Sequence, residues 1–403
     1  MNIGVDLCDD YITVYCAEEK SMISVPAVIC REKKEDVWYI GETAYRTALS
    51  GSGVLTDKLL SLLKKNGTST ISRKAYTAGQ LIARLLSTVL SQILNGSPIS
   101  DIENITIALR DADRQEMDGI LEAAVMAGME RDRIHMISHQ EAFIHYVMAQ
   151  DKELSYNMAG LFDLSGEDLS FCSLKVIRGG GKNSIAASGG ELEEKFRTGI
   201  LKNDSGSELA DRIMTEAAKK YLGNGIYSSV FLTGKGFERT DWAKGFIEFV
   251  CKKRRVMYEA GLFAIGAAYF SAGQSADSAG YRIFCDTRTP AEVSLQVMIN
   301  DRKSKLVMIP AGVPWYTADT FAEVLLKGQT KVDIDIEAPG RVSSKKSISI
   351  PLEGFPARPD RCTRVSVRVR YEDGERLNVS IRDMGFGEIY PAEDVSVSKQ
   401  IAL

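Results

Sequence analysis

The pattern of the sequence changes once, near residue 275, and this change limits the folds that the chain can adopt. Before it, strand-like apolar runs at 24–30, 105–109 and 160–163 alternate with helical patterns such as 78–94. Beyond it, KVDIDIE, SISIPLE, RVSVRVRY and RLNVSIRD each alternate apolar with polar residues, and helical patterns stop. Strands that alternate with helices predict an α/β architecture. Short alternating strands separated by turns predict an antiparallel β-sandwich.

A small, polar run separates the two patterns. It reads SAGQSADSAG, covers 271–280 and has the composition of a linker, so we expect it to be exposed. We predict a first domain over 1–275, a linker over 276–284 and a β-sandwich domain over 285–403. The length of 403 residues also exceeds what one ordinary hydrophobic core accommodates.

Charge and cysteine usage limit the partners and the compartment. The net charge of −4 provides no general attraction to nucleic acid or to an anionic membrane. The seven cysteines are scattered without a C-x-x-C pair, which favours a reducing compartment over a disulfide framework. The first residues do not have the pattern of a signal peptide, and the apolar run 261–272 is shorter than the ~20 residues of a membrane span. We expect a cytoplasmic protein that binds neither nucleic acid nor membranes.

The first strands and one helix have clear boundaries in the sequence. GVDLCDDYITVYC at 4–16 alternates apolar with polar positions on both sides of a polar turn, which predicts a β-hairpin whose turn carries two carboxylates. A second pattern predicts a helix over 113–127 with Asp111 as its N-cap. We find no clear internal repeat.

Motifs that could carry chemistry are weak when taken one at a time. Three glycine-rich runs are typical of turns, and no Walker A or G-x-G-x-x-G pattern surrounds them. They are 179–181, 189–190 and 234–236. Three histidines near Glu141 lack the H-E-x-x-H spacing, and no cysteine is close in sequence, so we predict no metal site among them. They are His135, His139 and His145.

The order of several longer motifs is more informative. IGVDL opens the chain, followed by DADRQ, AGM, GLFDLSGEDLS, GGELEEKF, FLTGKG and FAIGAA. MIPAG, FAEVLLKGQTKVDIDI and SISIPLEGFPARPDRC follow in the carboxy-terminal part. Together they resemble the seventy-kilodalton heat-shock chaperone family of the actin-like ATPase superfamily. The resemblance implies an α/β actin-like ATPase fold of two lobes, followed by an antiparallel β-sandwich that binds peptides.

The same resemblance implies a set of nucleotide-binding residues. They are Asp6, Lys58, Asp163, Gly166, Gly234 and Lys235. If the chain is active, Lys58 and Asp163 are the catalytic candidates, and Asp6 and Asp163 hold Mg²⁺ together with ATP. If ATP does not bind, we expect no cofactor and no metal.

The phosphate turns depart from the family pattern in their charge. Glycines and threonines that contact phosphate in the family are replaced by Cys8, Asp9, Asp10, Ser165, Glu167 and Asp168. At a distance of ~4 Å, one carboxylate repels one phosphate charge by about 4 kcal/mol at an effective dielectric near 20. A micromolar ligand has only about 8 kcal/mol of binding free energy in total. We therefore expect ATP binding to be weak or absent.

Two parts of the family architecture are also missing from the sequence. GGELEEKF runs almost directly into SGSELADRIMTEAAKKYL, which leaves no room for the lobe that closes over the adenine. We also expect no helical lid after the sandwich. We therefore identify the chain as resembling a degenerate member of the chaperone family.

These observations favour a chaperone-like protein that binds a protein or an extended peptide segment through the β-sandwich. We expect no enzymatic activity. One alternative is a slow Mg-dependent ATPase chaperone, which would be an ATP hydrolase. A second alternative is an actin-like scaffold or filament protein.

The candidate partner-binding residues lie in a loop rich in glycine and proline. They are Trp315 and Tyr316, whose rings offer a large contact area at low entropic cost. Because neighbours in a strand point to opposite faces, at least one of the two side chains should leave the core. The alternative is that Trp315 closes the end of the sandwich.

Overall fold

The computed structural model describes residues 1–111, 113–165, 168–178, 183–223, 225–338 and 344–403. The chain divides into two compact units, Met1–Tyr281 and Arg282–Leu403, which we call unit 1 and unit 2. The boundary between the two units falls within the predicted linker, 276–284. The candidate Gly166, together with Glu167, the side chain of Asp168 and the run 179–181, lies outside the described residues.

Unit 1 combines strands with helices. Its strands are β1 (Asn2–Leu7), β2 (Tyr11–Cys16), β3 (Ser21–Pro26), β4 (Ile29–Glu32), β5 (Trp38–Ile40), β6 (Gly53–Thr56), β7 (Thr68–Ile71), β8 (Lys74–Thr77), β9 (Asn104–Leu109), β10 (Ile134–Ser138), β11 (Met158–Ser165), β12 (Asp168–Ile177), β13 (Ser184–Glu191), β14 (Tyr227–Thr233) and β15 (Arg255–Tyr258). Its helices are α1 (Gly41–Leu49), α2 (Leu59–Lys64), α3 (Ala78–Ile93), α4 (Arg114–Met126), α5 (His139–Met148), α6 (Asp204–Leu222), α7 (Lys244–Val250) and α8 (Leu262–Ser271). Among the described residues, no helix is long and apolar enough to span a membrane.

Two sheets of unit 1 have the same strand order. The first runs β3-β2-β1-β9-β10, and the second contains the run β13-β12-β11-β14-β15. In each, the first three strands form antiparallel pairs, and the last three run parallel. Parallel strands joined through helices are typical of α/β proteins.

The repetition extends to single residues. Asp6 pairs with Thr13 across the first hairpin, and Asp163 pairs with Ser170 across the second. Both hairpins therefore share the pattern D-L-x-x-x-x-[IL]-[ST], with a leucine after each aspartate. The sequence interpretation that found no internal repeat is wrong at the level of structure. The shared segment is only eight residues long, too short to stand out against the rest of the chain.

Helix α8 lies against both β1 and α5, and glycine makes each close approach possible. A Cβ added to Gly4 of β1 would lie 2.0 Å from the carbonyl oxygen of Ala264 in α8. A Cβ added to Gly266 of α8 would lie 2.1 Å from the carbonyl oxygen of Ala142 in α5. These distances are shorter than any ordinary contact, so the backbones fit together only because these side chains are absent.

The run 271–280, predicted to be an exposed linker, is exposed only in part. Ser271 is the last residue of α8 and is buried, and its hydroxyl donates to the carbonyl oxygen of Ile3 at 2.9 Å. Ser275 and Ala276 are also buried. Small side chains can fill a tight packing position as readily as they form a linker, and here several of them pack into unit 1.

Unit 2 contains strands without α-helices in its described residues. Its strands are β16 (Arg282–Phe284), β17 (Glu292–Ile299), β18 (Arg302–Ile309), β19 (Asp319–Leu326), β20 (Lys331–Ala338), β21 (Ser344–Pro351), β22 (Thr363–Tyr371), β23 (Arg376–Asp383) and β24 (Ser396–Ala402). Two four-stranded antiparallel sheets run β18-β17-β20-β21 and β19-β22-β23-β24. Alternate residues of β22 and β23 are buried, as expected for sheets with one face against a core.

The loop after β18 does not present Trp315 as a binding surface. The Trp315 side chain is 1% exposed, and its indole N–H donates to the carbonyl oxygen of Asp286 at 2.9 Å. Tyr316 is half-buried. The prediction that Trp315 contacts a partner is therefore wrong, because burying the large indole stabilises unit 2 more than exposing it would.

Candidate functional site

The turn of the first hairpin, the end of β11 and helix α2 contribute to the lining of a small cavity in unit 1, which we call the turn cavity. Its volume is about 190 Å³. The lining residues are Leu7, Cys8, Asp9, Asp10, Tyr11, Leu60, Ser61, Lys64, Arg110, Asp111, Glu116, Ser165 and Glu191. Asp6 and Asp163, at the ends of β1 and β11, are buried and contact this lining. The structure thus brings these two predicted residues to one region.

Asp6 is held by groups from two elements. Its Oδ1 lies 2.8 Å from Nε2 of His139, the first residue of α5, and its Oδ2 accepts a hydrogen bond from the Tyr11 hydroxyl at 3.1 Å. The Cys8 thiol lies 3.6 Å from Oδ1 of Asp6. The ring of His139 stacks on Phe263 of α8, with centroids 3.8 Å apart. These contacts fix both the carboxylate and the imidazole in place.

Asp163 is also held by two side chains, one neutral and one cationic. Its Oδ1 accepts a hydrogen bond from the Ser165 hydroxyl at 2.5 Å, and its Oδ2 lies 3.6 Å from Nη2 of Arg110. Ser165 also interacts with the Tyr11 hydroxyl. The two buried carboxylates are therefore joined through Tyr11 and Ser165 by protein groups alone.

Burial controls the protonation of this network. It raises the pKa of the Asp163 carboxyl, and the Arg110 guanidinium opposes that rise. It also raises the pKa values of the Cys8 thiol and the Tyr11 hydroxyl well above their ordinary range, and the Asp6 carboxylate adds to both. Both groups therefore keep their protons at neutral pH and act as donors to Asp6.

Asp9, one of the two carboxylates in the first turn, accepts hydrogen bonds from the start of α2. Its Oδ1 accepts hydrogen bonds from the backbone N–H groups of Leu60 at 2.8 Å and Ser61 at 3.2 Å, and its Oδ2 accepts one from the Ser61 hydroxyl. Free N–H groups and the helix dipole make the start of a helix favourable for an anion. Asp9 supplies that anion from within the protein. Asp10 is exposed.

We expect the two neighbouring aspartates to differ in their effect on stability. Asp9→Ala should lower the free energy of unfolding by about 1 kcal/mol, as the loss of a helix cap does, and should speed hydrogen exchange at Leu60 and Ser61. Asp10→Ala, the matched control, should change neither. Urea unfolding together with amide exchange measures both, and equal effects of the two substitutions would contradict the assignment of Asp9 as the cap.

The remaining predicted nucleotide residues lie around this region in different ways. Lys58 is exposed just before α2, with a left-handed backbone (φ 50°), and is not among the residues that line the turn cavity. Gly234 has φ 91°, and an added Cβ would lie 2.4 Å from the carbonyl oxygen of Leu164 and 2.6 Å from Oγ of Ser165. Gly234 therefore allows close packing against the end of β11. Lys235 is exposed.

Two of the described residues that line the cavity are basic, and sequence reasoning missed both. Arg110 directly follows β9, at the edge of the sheet where β1 also ends, and contacts Asp163. Lys64 lies 3.1 Å from Glu116 and 3.2 Å from Asp111. Both cations thus already have carboxylate partners. The position of Arg110 could have been noticed, because carboxyl ends of parallel strands commonly form sites.

The structure places His139 and His145, which are close in the sequence, in different surroundings. His139 lies with Asp6 and Cys8, and their three donor atoms lie within 4.8 Å of one another. His145 is buried elsewhere on α5, where its Nδ1 accepts a hydrogen bond from the backbone N–H of Ala276. His139 is far from Asp6 and Cys8 in the sequence, but the structure brings the three together because β1 and β10 are parallel strands of one sheet and end on the same side of it.

Unit 2 contains a second cavity, of about 790 Å³, which we call the unit 2 cavity. Its apolar lining residues are Pro290, Ala291, Ile336, Ala338, Ala402 and Leu403, and its charged ones are Asp286, Arg288, Lys346, Asp373 and Glu375. Trp315 supports this wall through its hydrogen bond to Asp286. A concave apolar surface with a few charged groups is the usual form of a binding site.

Comparison with known proteins gives two matches of unknown function. Residues 288–403 match a domain of unknown function, DUF8552. Residues 10–286, more than half of the chain, match the family model described as the family of unknown function DUF5716, C-terminal. A search of curated proteins found none that matches. By the extent of the longer match, the chain belongs to the DUF5716 C-terminal family.

Proposed function

We propose that the chain is a degenerate, chaperone-like protein of the cytoplasm that binds protein or peptide segments through unit 2 and does not turn over ATP. The seven cysteines are free, which agrees with a reducing compartment. The repeated strand order of unit 1 agrees with an actin-like fold of two lobes. Only a short segment, 192–203, separates β13 from α6, which leaves no space for an adenine-closing lobe.

The size and charge of the turn cavity support the proposal that the chain does not turn over ATP. Ligand pockets commonly have volumes of about 300–1,000 Å³, whereas this cavity has about 190 Å³. Its two cations are paired with carboxylates, and Asp9 takes the helix terminus that could otherwise hold an anion. A phosphate chain would have to displace Asp9 and face the remaining acids without a free cation from Lys64 or Arg110. Each nearby carboxylate would cost it about 4 kcal/mol at ~4 Å.

The unit 2 cavity supports the proposed mode of binding. Its volume lies within the range of ligand pockets. Ile336 and Ala291 offer an apolar surface, and charged residues of both signs surround it. This combination suits a short apolar stretch of an extended peptide, whose flanking charges contact the rim. The occupant that we propose is therefore a peptide segment with one or two apolar side chains.

A peptide array probed with the full chain tests the proposal. The chain should bind the same peptides equally well with and without Mg-ATP. Calorimetry should detect no Mg-ATP binding tighter than roughly 100 µM. Ala402→Trp places an indole at an exposed position of the cavity lining and should weaken peptide binding at least tenfold, or about 1.4 kcal/mol.

Ser396→Trp is the matched control, because Ser396 is exposed on the same strand, β24, and does not line the cavity. Equal binding by both variants would refute the peptide site. Low-micromolar binding of Mg-ATP, lost in Asp163→Ala, would instead support the slow ATPase.

A further inference from the structure

Three side chains at one end of the first sheet of unit 1 carry three different metal-binding atoms. Asp6 lies near the end of β1, and Cys8 comes two residues later, directly after the strand. His139 directly follows β10, a strand of the same sheet. All three are buried, and their donor atoms, an oxygen, a sulfur and a nitrogen, lie within 4.8 Å of one another. We propose that Asp6, Cys8 and His139 bind one zinc ion, which ties the β1–β2 turn to the start of α5.

The distances suit tetrahedral zinc after a small adjustment. With zinc–ligand distances of about 2.0 Å to oxygen and nitrogen and about 2.3 Å to sulfur, a tetrahedral angle separates sulfur from oxygen by about 3.5 Å. The Cys8 sulfur lies 3.6 Å from Oδ1 of Asp6. The same geometry separates nitrogen from oxygen by about 3.3 Å. The separation between His139 Nε2 and Asp6 Oδ1 is 2.8 Å, so these two atoms need to move apart by about half an ångström.

Charge also favours a divalent cation at this place. A thiolate from Cys8 and a carboxylate from Asp6 together carry the charge that neutralises Zn²⁺, so the complete site is neutral in buried surroundings. Binding breaks the S–H bond of Cys8, the sulfur keeps the electron pair to form the zinc–sulfur bond, and the proton goes to solvent. No oxidant or reductant is involved.

Neighbouring groups hold the ligands in position before an ion arrives. The Tyr11 hydroxyl donates to Oδ2 of Asp6, which leaves Oδ1 directed at His139. Stacking on Phe263 fixes the plane of the imidazole. Such partners of ligating groups commonly change metal affinity 10–100-fold. Cys8 and Tyr11 also line the turn cavity, which provides a path for the ion and space for a water molecule as fourth ligand.

The donor set selects the metal. Mg²⁺ prefers six oxygen ligands, whereas sulfur and imidazole ligands suit Zn²⁺. This separates the proposed site from a magnesium site that depends on ATP. The proposal does not depend on peptide binding by unit 2.

Zinc binding by the full chain tests the proposal. After treatment with a chelator, the wild type should bind one Zn²⁺ per chain by native mass spectrometry, and a large excess of Mg²⁺ should not displace it. Co²⁺ in place of Zn²⁺ should give the absorption of a thiolate–cobalt bond. Cys8→Ser and His139→Gln should each lower the affinity by about 100-fold or more, since they remove a ligand rather than a supporting group.

Cys16→Ser is the matched control and should bind zinc as the wild type does. Cys16 is a buried thiol of the same hairpin, and its sulfur also lies 3.6 Å from a carboxylate oxygen, that of Glu18. If Cys8→Ser does not fold, the cobalt spectrum of the wild type still decides the question. Absence of the thiolate–cobalt absorption, or zinc binding that survives Cys8→Ser, overturns the proposal.

Discussion

Gly266→Ala should destabilise unit 1 by about 3 kcal/mol or more, because overpacking costs 1–3 kcal/mol even where side chains can yield. The added Cβ would lie 2.1 Å from the carbonyl oxygen of Ala142 and 2.8 Å from its carbonyl carbon. These are backbone atoms of α5, so relief requires that two helices move apart. Chemical denaturation, monitored by the circular dichroism of the helices, should show a large drop in the unfolding midpoint of unit 1.

Gly79→Ala is the matched control for this substitution. Gly79 also lies in a helix, α3, but the nearest heavy atom to its added Cβ is Cε of Met126 at 3.4 Å. The end of a flexible methionine can move, and alanine favours the helix over glycine, so this change should stabilise the chain by about 0.5–1 kcal/mol. If Gly266→Ala proves as harmless as Gly79→Ala, the close packing of α8 on α5 is incorrect.

Asp383→Asn should destabilise unit 2 by about 3–5 kcal/mol, the usual cost of removing one partner from a buried ion pair. Asp383 accepts two hydrogen bonds from Arg358, at 2.7 and 2.8 Å, and both side chains are almost fully buried. Without the carboxylate, the guanidinium keeps its charge in a buried position. Thermal unfolding of the full chain should show the lower stability in the transition of unit 2.

Asp319→Asn tests whether burial, and not geometry, causes this effect. Asp319 forms the same two-bond contact with Arg368, at 2.7 and 2.6 Å, but that arginine is 58% exposed. Exposed ion pairs contribute about 0–1 kcal/mol, so this variant should remain close to the wild type. Similar losses from both substitutions would contradict the argument.

The buried pair also predicts how unit 2 responds to acid. Hydrogen bonds from Arg358 hold the pKa of the Asp383 carboxyl below its ordinary value. A lowered pKa stabilises the fold at any pH above the unfolded value near 3.9, and this contribution is lost as the pH falls through the folded value. Unit 2 should therefore lose stability below about pH 4, and Asp383→Asn should reduce that dependence.

Local patterns in the sequence predicted several elements closely. The hairpin expected at 4–16 is present as β1 and β2, and the helical pattern at 78–94 is α3. The helix expected at 113–127 is also present, but its N-cap is Asp113, whose side chain accepts a hydrogen bond from the N–H of Glu116. Asp111 instead contacts Lys64. Two aspartates so close together offer the same local signal, and only tertiary contacts separate their roles.

The sequence by itself determined the kind of several elements, such as β1, β2, α3 and α4, and the change from mixed to all-strand structure, because both follow from the spacing of apolar residues along a few turns or strands. The strand-like run at 24–30 is an exception, since the structure divides it between β3 and β4. Tertiary structure decided what the carboxylates in and beside the first turn do. Asp9 caps the start of α2, which lies about fifty residues later in the chain, and Asp6 contacts His139 from another strand end of the same sheet. Whether a carboxylate is exposed, caps a helix or joins a buried cluster depends on partners distant in the chain, and no local pattern contains their positions.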